Sequence, residues 1–168
     1  MNQIATQSSN KFYSSKQENR LASILGWKVV KGSGSRNFHP GDVISDEWIG
    51  ECKTHKTPGQ KISFYQSVWN KIVDEAAASH KFPVLFVDDG SQDPRNTWCL
   101  FTAHPAKHFL FINYERPVKS TISFDNVDMQ NRRKQMTSGA PVVFVVQLNE
   151  FETLNLCTFN DFVELFDF

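Results

Sequence analysis

The five apolar residues at positions 83–87 (PVLFV) restrict the fold more than any other feature of the chain. A continuous apolar run of this length is typical of a strand that is covered on both faces in the centre of a sheet. Directly before it, apolar residues from about residue 63 to residue 79 repeat at helical spacing, which predicts a helix. A polar turn at residues 88–90 follows the run. A helix that leads into a buried strand predicts an α/β domain.

The segments on either side extend this order. Leu21, Ile24 and Leu25 are spaced for one apolar helix face, which predicts a helix over about residues 14–25 that ends at Gly26. Further elements are strands at 27–31, 42–45, 48–53, 98–103, 109–113 and 141–148, a loop or short exposed helix at 125–139, and a closing helix capped by Thr158. We therefore expect a mixed central sheet flanked by helices. Residues 1–12 are expected to form a flexible tail, and residues 13–168 a single domain.

Composition excludes several classes of protein. With 168 residues and 40% hydrophobic content, the chain can bury a core, and no apolar run approaches the ~18 residues that span a membrane. Residues 1–10 lack the basic-then-apolar layout of a signal peptide. The three cysteines, Cys52, Cys99 and Cys157, are too few and too widely spaced for a disulfide framework or a four-cysteine zinc site. We expect a cytoplasmic protein with no membrane partner, and cysteines that are small buried hydrophobic residues.

Charge is unevenly distributed although the net charge is zero. Residues 1–81 hold eleven Lys and Arg against seven Asp and Glu, a balance of +4, and residues 82–168 hold seven against eleven, a balance of −4. A basic amino-terminal half suits a polyanion that binds to one side of the molecule. A split of this size also arises by chance, so it supports a nucleic-acid partner only together with other features.

A pair of short strands carries the chemistry that the sequence predicts. If the turn between them is centred on residues 46 and 47, residues that face each other across the hairpin have numbers that add to 93. Asp42 then lies opposite Glu51, and Cβ atoms of facing residues are ~4.5–5.5 Å apart. Side chains alternate along a strand, so Glu51 and Lys53 project from one face and Cys52 from the other.

Two carboxylates that lie this close repel each other unless a cation is near. Oxygen ligands such as those of Asp42 and Glu51 suit Mg²⁺ or Mn²⁺, and such a metal activates water and neutralises charge on a phosphate. Lys53 can orient the attacking water and stabilise developing negative charge. The set therefore suits hydrolysis of a phosphodiester. The alternative is a solvated hairpin face with a weak ion pair, although the apolar neighbours Trp48, Ile49 and Cys52 indicate a buried strand.

The pattern Asp-x8-Glu-Cys-Lys at residues 42–53, preceded by a helix that bears Glu18, resembles the PD-(D/E)XK nuclease superfamily. Within it the chain looks most like the archaeal-type Holliday junction resolvases, a group with phage-encoded members. The resemblance covers about residues 16–88 and does not extend to residues 105–168. It implies the restriction-endonuclease-like fold and a bacterial, archaeal or phage-infected host cell.

The resemblance also implies roles for individual residues. Asp42 and Glu51 correspond to the metal ligands, Lys53 to the catalytic lysine, and Glu18 to a helix-borne acid that completes or supports the metal site. Ser35 corresponds to a serine beside the active site that touches the scissile strand. The loop at residues 32–41 is longer than the family pattern, which leaves open whether Ser33 or Ser35 has that role.

Other residues near this hairpin are candidates for DNA contact. The loop that contains Ser33 and Ser35 can hold a phosphate through backbone N–H groups or can simply be a connector. No Gly-Lys-Ser/Thr follows it, so no nucleotide cofactor is expected. Lys31, Arg36 and Lys56 flank the hairpin and can bind the DNA backbone, or they can be ordinary surface cations. Gln66 falls where related nucleases often carry an assisting polar residue, although a solvated glutamine is the alternative.

These features predict a Mg²⁺- or Mn²⁺-dependent endonuclease, and the resemblance implies that it cuts branched DNA, most characteristically four-way junctions. The alternatives are a restriction- or repair-type nuclease for duplex or single-stranded DNA, and a non-catalytic DNA-binding module with the same fold. Resolution of a junction needs two symmetric nicks, so a homodimer is expected. Eight of the phenylalanines in the second half offer apolar surface for an interface or pack inside one monomer: Phe109, Phe111, Phe144, Phe151, Phe159, Phe162, Phe166 and Phe168.

Overall fold

A computed structural model describes residues 3–31, 40–103, 105, 109–116, 119–136 and 139–168, with side chains from Phe12 onward. The described part of the chain forms helices α1 (Gln3–Leu25), α2 (Gln66–Ser79), α3 (Asn126–Met136) and α4 (Phe159–Phe166). Its strands are β1 (Lys28–Val29), β2 (Val43–Ile44), β3 (Trp48–Lys53), β4 (Ile62–Tyr65), β5 (Phe82–Asp88), β6 (Thr97–Phe101), β7 (Leu110–Asn113), β8 (Thr121–Phe124), β9 (Val142–Asn149) and β10 (Glu152–Thr158). A short 3-10 helix, Pro94–Asn96, precedes β6.

Eight of these strands form one mixed sheet in the order β1-β2-β3-β5-β6-β10-β9-β7. The pairs β3–β5 and β7–β9 are parallel, and the other neighbours in the sheet are antiparallel. The two remaining strands, β4 and β8, pair with each other as a separate antiparallel ribbon. The α/β class with a mixed central sheet and flanking helices is therefore confirmed.

Strand β5 occupies the buried position that its sequence predicts. It pairs with β3 on one side and β6 on the other, and Val84, Leu85, Phe86 and Val87 are at most 2% exposed. Leu85 and Val87 point to one face of the sheet, and Val84 and Phe86 point to the opposite face. Both faces of the strand are covered, which explains why the run has no polar alternation.

The helices divide the core into two parts. On one face, α2, α3 and the β4–β8 ribbon pack on the sheet around Trp69, Ile72 and Trp98; we call this the α2-side core. On the other face, α1 and α4 pack around Leu21, Trp48 and Phe162; we call this the α1-side core. All three cysteines are buried and unpaired, as predicted. No helix in the described part of the chain is long and apolar enough to cross a membrane.

Helix α1 is longer than its sequence pattern predicts. The helix begins at Gln3, so the backbone is already helical over most of the stretch that was expected to be a tail. Neither glycine nor proline occurs before Gly26, so no residue in this stretch breaks a helix. Gly26, at φ +68°, ends α1 where predicted, because glycine adopts this left-handed conformation without steric cost.

Most of the phenylalanines in the second half pack within the chain. Phe144, Phe159 and Phe162 are buried, and Phe109, Phe166 and Phe168 pack against the α1-side core. Thr158 caps α4 as predicted, because its side chain accepts a hydrogen bond from Asp161 N. Two of the eight rings remain largely exposed, Phe111 and Phe151. Packing inside one monomer therefore accounts for six of the eight.

Candidate active site

The β2–β3 hairpin has the register that its sequence predicts. Val43 faces Gly50 and Ile44 faces Ile49, so the residue numbers add to 93. The turn is closed by hydrogen bonds between Ser45 and Trp48, with Ser45 N donating to Trp48 O at 2.9 Å. This register places Asp42, which directly precedes β2, beside the carboxyl-terminal half of β3.

Asp42 is hydrogen-bonded to β3 through both its backbone and its side chain. Its N–H donates to the Gly50 carbonyl at 2.8 Å, and its carbonyl accepts from Val30 N at 2.8 Å. Its carboxylate oxygen Oδ2 accepts from Cys52 N at 2.8 Å, and the residue is buried. Asp42 is therefore held against β3 by the residues on either side of Glu51, its backbone by Gly50 and its carboxylate by Cys52.

Glu51 and Lys53 project from the same face of β3, as the strand period predicts. Lys53 Nζ lies 2.6 Å from Glu51 Oε1. The Glu51 side chain is only 7% exposed, whereas the Lys53 side chain is 49% exposed. A buried carboxylate thus pairs with an ammonium group that also reaches solvent. Cys52, between them, belongs to the α1-side core, where burial raises the pKa of its thiol well above the ordinary value.

Helix α2 contributes two charged groups that sequence reasoning missed. Lys71 Nζ lies 3.4 Å from Glu51 Oε2 and 3.6 Å from Glu75 Oε1. Glu75 Oε2 in turn accepts a hydrogen bond from Gly41 N at 2.9 Å. Burial opposes protonation of Lys71, but the charges of Glu51 and Glu75 outweigh it and raise the pKa of Lys71. Residues 71 and 75 are one helical turn apart and border the apolar stripe that contains Ile72 and Ala76, which indicates that they lie close to the sheet but not which residues of the sheet they meet.

Glu18 approaches the same region from α1. Next to Glu18, α1 is hydrogen-bonded to β3, because Gln17 Nε2 donates to the Lys53 carbonyl at 3.1 Å. Burial, reinforced by the charges of Asp42 and Glu51, raises the pKa of Glu18 from 4.5 to about 7, and Lys53 only partly opposes this. We call Glu18, Asp42, Glu51 and Lys53 the candidate site. Three carboxyl groups and one ammonium group of this site therefore influence one another electrostatically.

The raised pKa of Glu18 predicts a pH-dependent stability. Between about pH 4.5 and pH 7 the folded chain retains a proton that the unfolded chain releases, so stability falls as pH rises through this window. Glu18→Gln cannot lose a proton, so its stability relative to the wild type should be about 1–2 kcal/mol greater at pH 8 than at pH 5, after allowance for partial exposure. Urea unfolding in EDTA measures the difference. Glu150→Gln, at an exposed position far along the chain from Glu18, is the control. The prediction is contradicted if the stability of Glu18→Gln and that of the wild type respond equally to pH.

The other predicted contact residues lie outside the candidate site or outside the described residues. Ser33, Ser35 and Arg36 fall in the stretch 32–39, which is not described. Lys31 is exposed just after β1, and Lys56 is exposed in the loop after β3. Gln66 is the first residue of α2, and its N–H donates to Ser120 O beside the β4–β8 ribbon. The charged groups that α2 places against the site are therefore Lys71 and Glu75.

The donor set of the candidate site suits a hard divalent cation. Among the described residues, no three His, Cys, Asp or Glu side chains converge closely enough to count as a metal site. Mg²⁺, however, commonly binds through one or two carboxylates and keeps several waters, which Asp42 and Glu51 can supply. Each Glu51 oxygen faces an ammonium group, Lys53 or Lys71. These lysines balance the buried charge, and a bound cation would compete with them for Glu51.

Comparison of the chain with models of known families, with curated proteins and with solved structures returned no match.

Proposed function

We propose that this chain is a metal-dependent DNA endonuclease with a restriction-endonuclease-like fold. The observation that carries the proposal is the meeting of two buried carboxylates, Asp42 and Glu51, with the half-exposed Lys53 at the end of a sheet strand. Buried charges are rare unless they are paired or functional. A structural ion pair needs only one carboxylate, whereas this site also has Asp42 and Glu18. Burial, reinforced by the charges of Asp42 and Glu51, raises the pKa of Glu18 to about 7.

Each group of the candidate site has a role in hydrolysis of a phosphodiester. Asp42 and Glu51 would hold Mg²⁺ or Mn²⁺, and Glu18 would support that site from α1. The metal supplies an activated water and neutralises charge on the phosphate. Lys53 is fixed by Glu51 at 2.6 Å yet reaches solvent, so its ammonium can orient the attacking water and stabilise developing charge. The neutral thiol of Cys52, turned into the α1-side core, takes no part.

The element order supports the restriction-endonuclease-like fold. Helix α1, which bears Glu18, is followed by the β1–β2–β3 antiparallel segment that carries the site, then by α2 and the parallel strand β5. This is the order that the resemblance over residues 16–88 implies. The β4–β8 ribbon and the strands beyond β6 have no counterpart in the resemblance, so they carry no part of the proposal.

We further propose that the substrate is branched DNA, with the four-way junction preferred. Purified protein is expected to cut a labelled four-way junction in Mg²⁺ faster than a fork, a duplex or a single strand of the same sequence. Cleavage of duplex or single strand in preference to the junction would instead identify a restriction- or repair-type nuclease. Binding of every substrate without any cleavage would identify a non-catalytic DNA-binding module.

A junction resolvase needs two active sites related by a twofold axis, and each chain supplies one. We therefore propose that the active species is a homodimer, with the exposed rings of Phe111 and Phe151 available for contact. Light scattering of the free protein at micromolar concentration should give about twice the 19.3 kDa of one chain, and the junction should be nicked in opposed strands. A monomer both free and on the junction would exclude the dimer and favour a nuclease that makes single nicks.

A further inference from the structure

Gly41 makes a sharp turn directly before Asp42. Its φ is +67°, and a Cβ atom at this position would lie 2.6 Å from Ile49 Cγ1 and 3.0 Å from Gly50 O. Only glycine combines this backbone conformation with so close an approach to β3. The turn directs the Gly41 N–H towards α2, where Glu75 Oε2 accepts it at 2.9 Å. A side chain of α2 therefore fixes the backbone that delivers Asp42 to the candidate site.

Three hydrogen bonds with backbone groups also hold Asp42. Gly50 O accepts its N–H, Val30 N donates to its carbonyl, and Cys52 N donates to its carboxylate. Glu75 differs because it is a side chain, and it can be changed without altering these strands. The other carboxylate oxygen of Glu75, Oε1, lies 3.6 Å from Lys71 Nζ, and Lys71 Nζ lies 3.4 Å from Glu51 Oε2. Glu75 thus contacts the backbone next to Asp42, and through Lys71 it is linked to the side chain of Glu51. Asp42 and Glu51 are the two candidate metal ligands.

The energetics favour positioning over stability as the role of Glu75. Both contacts of Lys71 are long, and its side chain is 57% exposed, so these ion pairs stabilise the fold little. The Gly41–Glu75 hydrogen bond is shorter and partly buried. From these contacts we infer that Glu75 is a positioning residue, which sets the place of the Asp42 carboxylate through the Gly41 N–H. Its consequence for metal binding rests on the proposed function.

The first test needs neither metal nor DNA. In EDTA, amide hydrogen exchange is measured by NMR at Gly41, whose N–H contacts Glu75, and at Cys52, whose N–H contacts the Asp42 carboxylate. Glu75→Ala should speed exchange at both amides by about tenfold, the effect of one lost hydrogen bond. Glu75→Gln keeps an oxygen acceptor for Gly41 N–H and should stay within about threefold of the wild type by the same reasoning. Asp74→Ala, at the exposed neighbouring position of α2, should match the wild type.

The second test measures Mn²⁺ binding by calorimetry with the same variants. Loss of a group that orients a metal ligand commonly lowers affinity about 10–100-fold, which is expected for Glu75→Ala but not for Glu75→Gln or Asp74→Ala. Unchanged exchange at Gly41 and Cys52 in Glu75→Ala would overturn the inference. Equal effects of Glu75→Gln and Glu75→Ala would also overturn the inference, because they would show that the charge of Glu75, and not its hydrogen bond to Gly41, causes the effect. A wild type that binds no Mn²⁺ would contradict the proposed function, and the exchange data would still decide the role of Glu75.

Discussion

Lys53→Ala is expected to lower the rate of junction cleavage by at least about 10³-fold while leaving DNA affinity within a few-fold of the wild type. The ammonium lies 2.6 Å from Glu51 and is half exposed, so its removal takes away a charge at the reacting centre and little buried contact. Asp42→Asn should have a similar effect on rate. Asparagine keeps an oxygen that can accept from Cys52 N, so the hairpin should stay folded.

Single-turnover rates and gel-shift affinities measured on the same preparations test this expectation. Lys119→Ala removes a lysine from an exposed position before β8 and serves as the matched control. Its rate should equal that of the wild type. If Lys53→Ala or Asp42→Asn keeps near-wild-type turnover while folded, that residue has been assigned wrongly. Loss of binding together with cleavage would mean that the residue acts in DNA contact.

The second large effect concerns the metal. Cleavage should require Mg²⁺ or Mn²⁺ and should fall below detection in excess EDTA, because Asp42 and Glu51 alone cannot activate water at neutral pH. Ca²⁺ should support DNA binding without cleavage, since it favours more ligands at longer distances than Mg²⁺. Rates measured across a titration of each metal give the comparison. Undiminished cleavage in EDTA would exclude the metal role. As a control for reversibility, excess Mg²⁺ added to the wild type after EDTA should restore cleavage.

The parts of the site that are local in sequence could be predicted from it. The hairpin register follows from a two-residue turn, and the strand period then puts Glu51 and Lys53 on one face. Both features are present in the structure. The buried strand β5 was likewise evident from an apolar run with no polar alternation. In each case the information lies within about a dozen consecutive residues.

Features that depend on packing between distant segments could not be predicted. The helical spacing predicts a helix from about residue 63, but residues 62–65 form β4, whose partner β8 lies some sixty residues further along the chain. Ile62 and Phe64 are buried and alternate with less buried residues, a period-two signal too short to outweigh the helical pattern that follows. Lys71 and Glu75 were missed because the rotation of α2 against the sheet decides which of its polar residues meet the candidate site.

The most direct test of the central claim is the rate at which excess enzyme incises a four-way junction in Mg²⁺, measured for the wild type and Glu51→Gln. Glutamine has nearly the shape of glutamate but lacks the charge that pairs with Lys53 and Lys71. We predict paired incisions by the wild type and none by Glu51→Gln, which should bind the junction at least as tightly because a negative charge near the phosphates is removed. Equal incision by the two proteins, or a wild type that binds the junction and never cuts it, would contradict the account.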